Sequence, residues 1–278
     1  MSGDIERIVI VGASNLATNL GEALLRCGRR VEQVFSRTEA SAKALADRLH
    51  CAWTTSFDDI STDADLYIVA VKDSVLAPVL QEVVKKTVGG IVAHTAGSVP
   101  MSVFGNSDAR RGVFYPMQTF SKQKVVDFRE ISIFVEASDE KTCTDLENLA
   151  RELTDNVYLL DSDKRRYLHL AAVFACNFAN HCFALADEIL RHNNISFDVM
   201  LPLIRETVGK LDVLSPRDAQ TGPAVRKDTD IMRKHAELID DRTTQDIYEL
   251  MSKSIMRTDS LPADAHSPET HRSAAKRL

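Results

Sequence analysis

Ile8-Val9-Ile10-Val11-Gly12-Ala13-Ser14-Asn15-Leu16-Ala17 is the stretch on which the fold turns. Its opening run of β-branched residues reads as a strand buried on both faces. Gly12 closes that strand, and helical spacing starts at once: Leu16, Leu20, Ala23 and Leu24 recur three and four residues apart until Gly28. A strand, a glycine turn and a helix in this order suit the phosphates of a dinucleotide. Such a turn wants glycine first, a small residue where backbone meets pyrophosphate, and Gly or Ala third, where helix packs on strand. Gly12 and Ala17 meet the first and last demands, while Ser14 puts a Cβ and a hydroxyl at the middle one. The free N–H groups of the first helical turn, around Asn15, supply the anion site. The same turn also serves α/β domains that bind nothing.

Outward from that stretch, strand-like runs at 31–35, 66–71, 90–94, 112–115, 131–136 and 157–160 are interleaved with helical patterns over 38–49, 74–86 and 140–153. This alternation predicts right-handed crossovers and a parallel, doubly wound sheet. The second strand runs out into Phe35-Ser36-Arg37-Thr38. An NAD site carries an acid there to accept from the ribose 2′-OH, whereas an arginine accommodates a 2′-phosphate. Ser36 and Arg37 stand in the acid's place, which points to NADP; the plain alternative makes Arg37 a solvated surface cation. The loops Val71-Lys72-Asp73, His94-Thr95-Ala96-Gly97-Ser98 and Tyr115-Pro116-Met117-Gln118-Thr119 follow later strands, where an open sheet places its ligand crevice. Val71, His94, Ser98 and Gln118 are the candidate contacts in them. His94 is the titratable group of those loops that works near neutral pH, although a hydrogen-bonded structural histidine reads equally well.

Past residue 161 the strand signals stop. Helical patterns cover 163–193, 197–213, 227–240 and 244–257, with Pro202 kinking or restarting the second. The stretch 259–278 reads as a flexible tail. The most apolar long window, 168–186, is interrupted by His169, Asn177, Asn180 and His181. A membrane span would have to bury all of them, so the window reads as a core helix carrying a polar site. At 100° per residue, Asn180 falls about 20° from His169 and Asn177 about 80°. A shared polar face on an apolar helix suits a group that polarises a carbonyl or imine while a cofactor supplies hydride. His169 and Asn180 are the candidates, with Lys210 as a weaker proton donor. Structural amides fit the same positions, and Glu206 with Lys210 at i, i+4 also reads as a surface ion pair.

The 278 residues suffice for about two domains. Asp and Glu outnumber Lys and Arg by 40 to 34, a net charge of −6 that favours solubility and argues against a nucleic-acid partner. Cys27, Cys51, Cys143, Cys176 and Cys182 are odd in number and scattered. That suits reduced thiols in a cytoplasm better than a disulfide framework or a metal site. Residues 1–7 lack the basic and apolar regions of a signal peptide. The expectation is a cytoplasmic protein with a small-molecule substrate, away from membranes.

Several segments jointly carry a family resemblance: 115–122 (Tyr-Pro-Met-Gln-Thr-Phe-Ser-Lys), His169-Leu170-Ala171-Ala172-Val173 with Asn177-Phe178 and Asn180-His181, Pro202-Leu203-Ile204 with Glu206-Thr207 and Lys210, and Gln220-Thr221-Gly222-Pro223-Ala224 with Arg226 and Asp228. Through these the chain resembles Rossmann-like proteins that pair an N-terminal NADP-oxidoreductase-type domain with an all-helical C-terminal domain of uncharacterised function. More distantly it is similar to pyrroline-5-carboxylate reductase and ketopantoate reductase. The resemblance implies a Rossmann domain at 1–161, a helical domain of the 6-phosphogluconate-dehydrogenase type at 162–258, NADP as cofactor, and a homodimer formed through the helices. In one respect the chain departs from ketopantoate reductase and its relatives: no lysine lies four residues before Asn177, where Val173 stands. The reaction expected is NADP(H)-dependent reduction of a small carbonyl or imine; a sensor or accessory protein that binds NADP(H) without turnover is the alternative.

Overall fold

The computed structural model describes residues 5–258. The tail read at 259–278 lies outside them. Two compact units divide between Val173 and Phe174, inside the long helix rather than at residue 161.

The first unit is built on eight strands: β1 (Arg7–Val11), β2 (Arg30–Phe35), β3 (Ala52–Thr54), β4 (Leu66–Val69), β5 (Ile91–His94), β6 (Arg110–Met117), β7 (Ser132–Ala137) and β8 (Val157–Leu159). They form one sheet in the order β3-β2-β1-β4-β5-β6-β7-β8. The helices between them are α1 (Asn15–Arg26), α2 (Glu39–Leu49), α3 (Asp73–Lys86) and α4 (Glu140–Leu153). Alternate residues of β1 serve opposite layers, as a strand's period of two requires. Ile8 and Ile10 pack with Leu20 and Leu24 of α1, Leu45 of α2 and Leu149 of α4. Val9 and Val11 pack with Leu76, Leu80 and Val83 of α3. Helices therefore cover both faces, and the β-branched run of β1 is buried throughout.

Two features of the sheet go beyond the sequence reading. Strand β3 is a three-residue edge strand paired with β2, too short to leave a periodic signature. Strands β6 and β7 pair antiparallel within an otherwise parallel sheet. A parallel return needs a crossover of a dozen or more residues, usually a helix. Between β6 and β7 there is only a loop with one 3₁₀ turn, Phe128–Glu130, so the chain reverses direction.

A helix Ser162–His192 runs on from the sheet without interruption. Its first part, α5 (Ser162–Ala172), belongs to the first unit, followed by a π-helical segment Val173–Phe178 and then α6 (Ala179–His192). The second unit continues with α7 (Leu201–Gly209), α8 (Thr229–Glu237) and α9 (Arg242–Thr258). Pro202 stands in the first turn of α7, after a 3₁₀ turn Phe197–Met200, so it restarts the helix where its missing N–H costs little.

The reading of 168–186 as a core helix is corrected here. No residue of that window is buried, and Phe174, Phe178 and Phe183 are 63%, 50% and 36% exposed. By length and composition the helix is also apolar enough to cross a membrane. Apolar periodicity marks a face that needs covering; it does not say by what. Of all the described residues from Phe174 onward, Ala224 alone is buried.

Candidate functional site

The strand order places a topological switch point between β1 and β4, where the crossovers leave in opposite directions. Open α/β sheets bind ligands at the carboxyl ends of their strands beside such a point. Strands β1, β2, β4, β5 and β6 run parallel, so the loops holding Gly12, Ser36, Val71, Ser98 and Gln118 lie along one edge of the sheet.

Gly12 is there for space and for backbone conformation. Its φ is +116°, and a Cβ on it would stand 2.4 Å from the carbonyl oxygen of Ala70. The turn therefore runs hard against the end of β4, an approach that an L side chain does not permit. Ser14 is the N-cap of α1, its hydroxyl oxygen accepting from the Ala17 N–H at 3.1 Å. Ala17 itself is buried against the sheet. With Ala17 engaged, the orphan N–H groups at the head of α1 are those of Asn15 and Leu16, which together with the Ser14 O–H can face an anion. The side chain of Asn15 is engaged elsewhere, donating to the Phe120 carbonyl at 3.0 Å. One turn on, Asn19 donates to Ser121 O and accepts from Val126 N, both at 3.0 Å. These two amides fasten the loop after β6 along α1. Asn15 thus offers an anion its backbone N–H and not its side chain.

At the end of β2, Ser36 is half-buried and Arg37 exposed, and Arg37 makes no ion pair among the described residues. Val71 packs against the Gly12 turn, and the exposed Gln118 folds back on the N–H of Thr119 at 2.9 Å. Ser98 gives its hydroxyl proton to Asp73, the first residue of α3.

His94 turns out to be structural. It is fully buried, its Nδ1 accepting from Ala96 N at 3.2 Å and its Nε2 without a partner among the described residues. Burial above all, with the nearby charge of Arg165, pushes its pKa from 6.5 down to about 3. It stays neutral through the physiological range, and its role as a group titrating near neutrality is corrected.

The source of that charge was invisible in the sequence. Arg165 sits in α5 with no exposed surface. Its Nη1 donates to the carbonyls of Ala96, Gly97 and Val99 at 2.8, 3.1 and 2.7 Å, and its Nη2 reaches Glu136 Oε2 at 2.9 Å. Ser162 completes the group, donating to Glu136 at 2.8 Å and accepting from Met101 N at 2.9 Å. One guanidinium thereby gathers the loop after β5, strand β7 and the head of α5. In Lys164-Arg165-Arg166 the middle cation looks like the exposed face its neighbours form.

One helical turn beyond Arg165 stands His169. Its Nδ1 lies 3.1 Å from the hydroxyl of the buried Tyr115, with the two rings edge-on at 6.1 Å. Gly97 makes room for both: a Cβ on it would stand 2.6 Å from His169 Nδ1 and 2.7 Å from Tyr115 Cζ. So the structure brings His169 to the carboxyl edge of the sheet, against the loop after β5 and the end of strand β6. Tyr115 and Gly97 occur in stretches that the sequence singles out, yet without any signal that they meet a helix some fifty residues on.

The other chemical candidates belong to the second unit. Asn180 is exposed in α6, and neither it nor Asn177 has a side-chain hydrogen-bond partner among the described residues. The π segment hydrogen-bonds i to i+5, so the premise of 100° per residue fails across Val173–Phe178. The single polar face drawn from it does not follow. Glu206 and Lys210 form no ion pair among the described residues, although the Lys210 N–H still bonds the Glu206 carbonyl at the end of α7.

Known proteins bear on this arrangement. Residues 4–114 match the family model of a Rossmann-like domain, and residues 131–255 match a domain of unknown function, DUF2520. Among curated proteins nothing matches significantly. A solved structure from Bacteroides fragilis, provisionally assigned as an NADP oxidoreductase, is 50% identical with a TM-score of 0.87, over 91% of this chain and 98% of that one. An imine reductase from Myxococcus stipitatus in complex with NADP+ is 16% identical with a TM-score of 0.61, over 91% and 92% of the two chains. A pyrroline-5-carboxylate reductase from Coxiella burnetii is 15% identical with a TM-score of 0.57, over 92% and 98%. The last two share the fold.

Proposed function

The chain belongs to the family that joins a Rossmann-like domain to a DUF2520 domain, and on that premise we propose that it is an NADP(H)-dependent oxidoreductase reducing a small carbonyl or imine metabolite. The observation that carries this reading is the pairing of the Gly12 turn with an uncommitted Arg37 at the end of the neighbouring strand. The N–H groups of Asn15 and Leu16 and the hydroxyl of Ser14 hold the pyrophosphate, and Ser36 with Arg37 holds the 2′-phosphate. An arginine suits that group because its planar fork matches phosphate oxygens. The fold's use by reductases that bind NADP, such as the Myxococcus enzyme, supports the same cofactor.

NADPH at this site supplies a hydride. The protein's part is to polarise the acceptor and furnish the proton. His169, at the carboxyl edge of the sheet, polarises the substrate oxygen or nitrogen; Asn180 is a further donor and Lys210 a proton source. The small-molecule substrate is met in the cytoplasm, where the five thiols stay reduced. The unburied apolar helices of the second unit are covered by a second copy of the chain.

Calorimetric titration with NADPH and with NADH tests the reading, each repeated on Arg37→Ala. Removing one charge-assisted contact costs about 1.5–3 kcal/mol, roughly ten- to a hundredfold in affinity. NADPH binding that falls to the NADH level in the variant is the expected result. Failure to bind either nucleotide overturns it. The absence of a lysine between His169 and Asn180 favours one other reading, binding of NADP(H) without turnover. Binding by a protein that consumes no NADPH across a panel of ketones and cyclic imines would establish that instead.

A further inference from the structure

We infer that Tyr115 is a positioning residue whose hydroxyl holds His169 in the Nε2–H tautomer, so that the imidazole meets its substrate as a hydrogen-bond donor through Nε2. This rests on the proposed reductase site and specifies how one of its groups is set.

The geometry supplies three supports. The Tyr115 hydroxyl and His169 Nδ1 are 3.1 Å apart. In a neutral imidazole one nitrogen donates and the other accepts, and the partner of the first decides the state of the second. An imidazole nitrogen is a far better base than a phenol oxygen, so the favoured polarity runs from O–H to Nδ1, and the ring proton is left on Nε2. Next, the contact is enforced. The Nδ1–Cγ edge of His169 faces Gly97, with the space of a missing Cβ between them, and the Tyr115 hydroxyl meets the same edge. The Nε2 edge is accordingly the one turned away from the sheet loops. Finally, the ring's carrier is fixed: Arg165, four residues earlier on α5, bonds the carbonyls of Ala96, Gly97 and Val99. A histidine held by a tyrosine on one nitrogen and open at the other is a directed donor. The proton that completes reduction then comes from another group or from water.

The test reads the tautomer directly and without nucleotide. Protein labelled with ¹⁵N-histidine is examined by long-range ¹H–¹⁵N correlation at about pH 9, above the ordinary imidazole range. The signal pair that disappears in His169→Gln is assigned to His169. An unprotonated Nδ1 and a protonated Nε2 are expected, with the Nδ1 signal moving downfield in Tyr115→Phe as its hydrogen bond is lost. A protonated Nδ1 in the wild-type protein would overturn the inference, as would an Nδ1 signal indifferent to Tyr115→Phe. Should that variant fold poorly, Gly97→Ala, whose Cβ would press between the two rings, reads the same downfield movement of Nδ1. Saturating NADP+ is then added: a protein that binds it should shift Nε2 and leave Nδ1 in place, and an unmoved Nε2 refutes the directed-donor role. Failure to bind NADP+ at all, seen by calorimetry, counts against the reductase reading separately.

Discussion

Arg165 donates through Nη1 to the Gly97 carbonyl at 3.1 Å, while the Cα of that same glycine faces the imidazole of His169, one helical turn on. A single peptide unit is thus gripped from one side and yields room on the other. The grip is a buried cation whose two terminal nitrogens bond three carbonyls and one carboxylate, with Glu136 as its ion-pair partner, while its Nε has no hydrogen-bond partner among the described residues. Deleting one member of a buried pair is far more damaging than the pair's net worth suggests, because its partners lose their compensation. Arg165→Ala should lower unfolding stability by about 3–5 kcal/mol, read from urea denaturation. Arg165→Lys keeps the charge but not the fork, and should lose less. A value near zero for the alanine variant would mean that the guanidinium does not fasten the loop.

Gly97→Ala asks what the space beside the histidine is for. Its Cβ would press on the Tyr115 ring and the His169 ring at once, both at under 3 Å, and neither is the tip of a flexible chain. Overpacking of this kind costs about 1–3 kcal/mol, so the variant should fold. What it should lose is the Tyr115–His169 hydrogen bond. In the histidine ¹⁵N spectrum the Nδ1 signal should then move as it does in Tyr115→Phe. A variant that keeps the native signal would show that the rings can yield without parting.

How much of this was legible in the sequence depended on the range of each interaction. Gly12 could be read because the demand on it is local: a strand stops, a helix starts, and the turn between needs a positive φ. The layering of β1 was equally plain, since a run of Ile and Val encodes burial on both faces by itself. Arg37 was readable through what is missing beside it, a carboxylate at the end of β2. By contrast, Arg165 and Tyr115 owe their roles to contacts 69 and 54 residues away in the chain, and no local pattern encodes those. His94 was misjudged for the same reason. Its residue type advertises titration, but its burial is set by α5 and the Phe104 ring packed beside it. The apolar helix was misread in a different way, as hydrophobic periodicity gives a face and leaves its cover unstated.

The buried His94 makes stability depend on acid. Its folded pKa, about 3, lies below its ordinary 6.5. The unfolded chain takes up a proton there before the folded one can, so the contribution is complete above pH 6.5 and drains away as pH falls toward 3. Each pKa unit corresponds to 1.36 kcal/mol, so between pH 7 and pH 5 the loss from this group comes to about 2 kcal/mol. Urea denaturation at the two pH values should show that slope in the native protein and a flatter one in His94→Gln. Equal slopes would place the acid sensitivity elsewhere.

The last expectation concerns what covers the second unit. Phe174 and Phe178 meet edge-on at 5.0 Å on the long helix, 63% and 50% exposed, and Leu203 and Val208 on α7 are each 58% exposed. With Ala224 as the one buried residue among those described there, the unit buries too little apolar surface to offset its own conformational entropy. Among the described residues nothing supplies the missing burial. If a second copy supplies it, light scattering in detergent-free buffer should give twice the 30.9 kDa of one chain. Phe178→Asp should then shift that mass toward the monomer and lower the melting temperature together, since an association that completes a core ties stability to concentration. A stable monomer of native melting temperature would refute the dimer. A protein that stays in solution only with detergent would instead mean that lipid covers the helix, whose length and composition also suit a membrane.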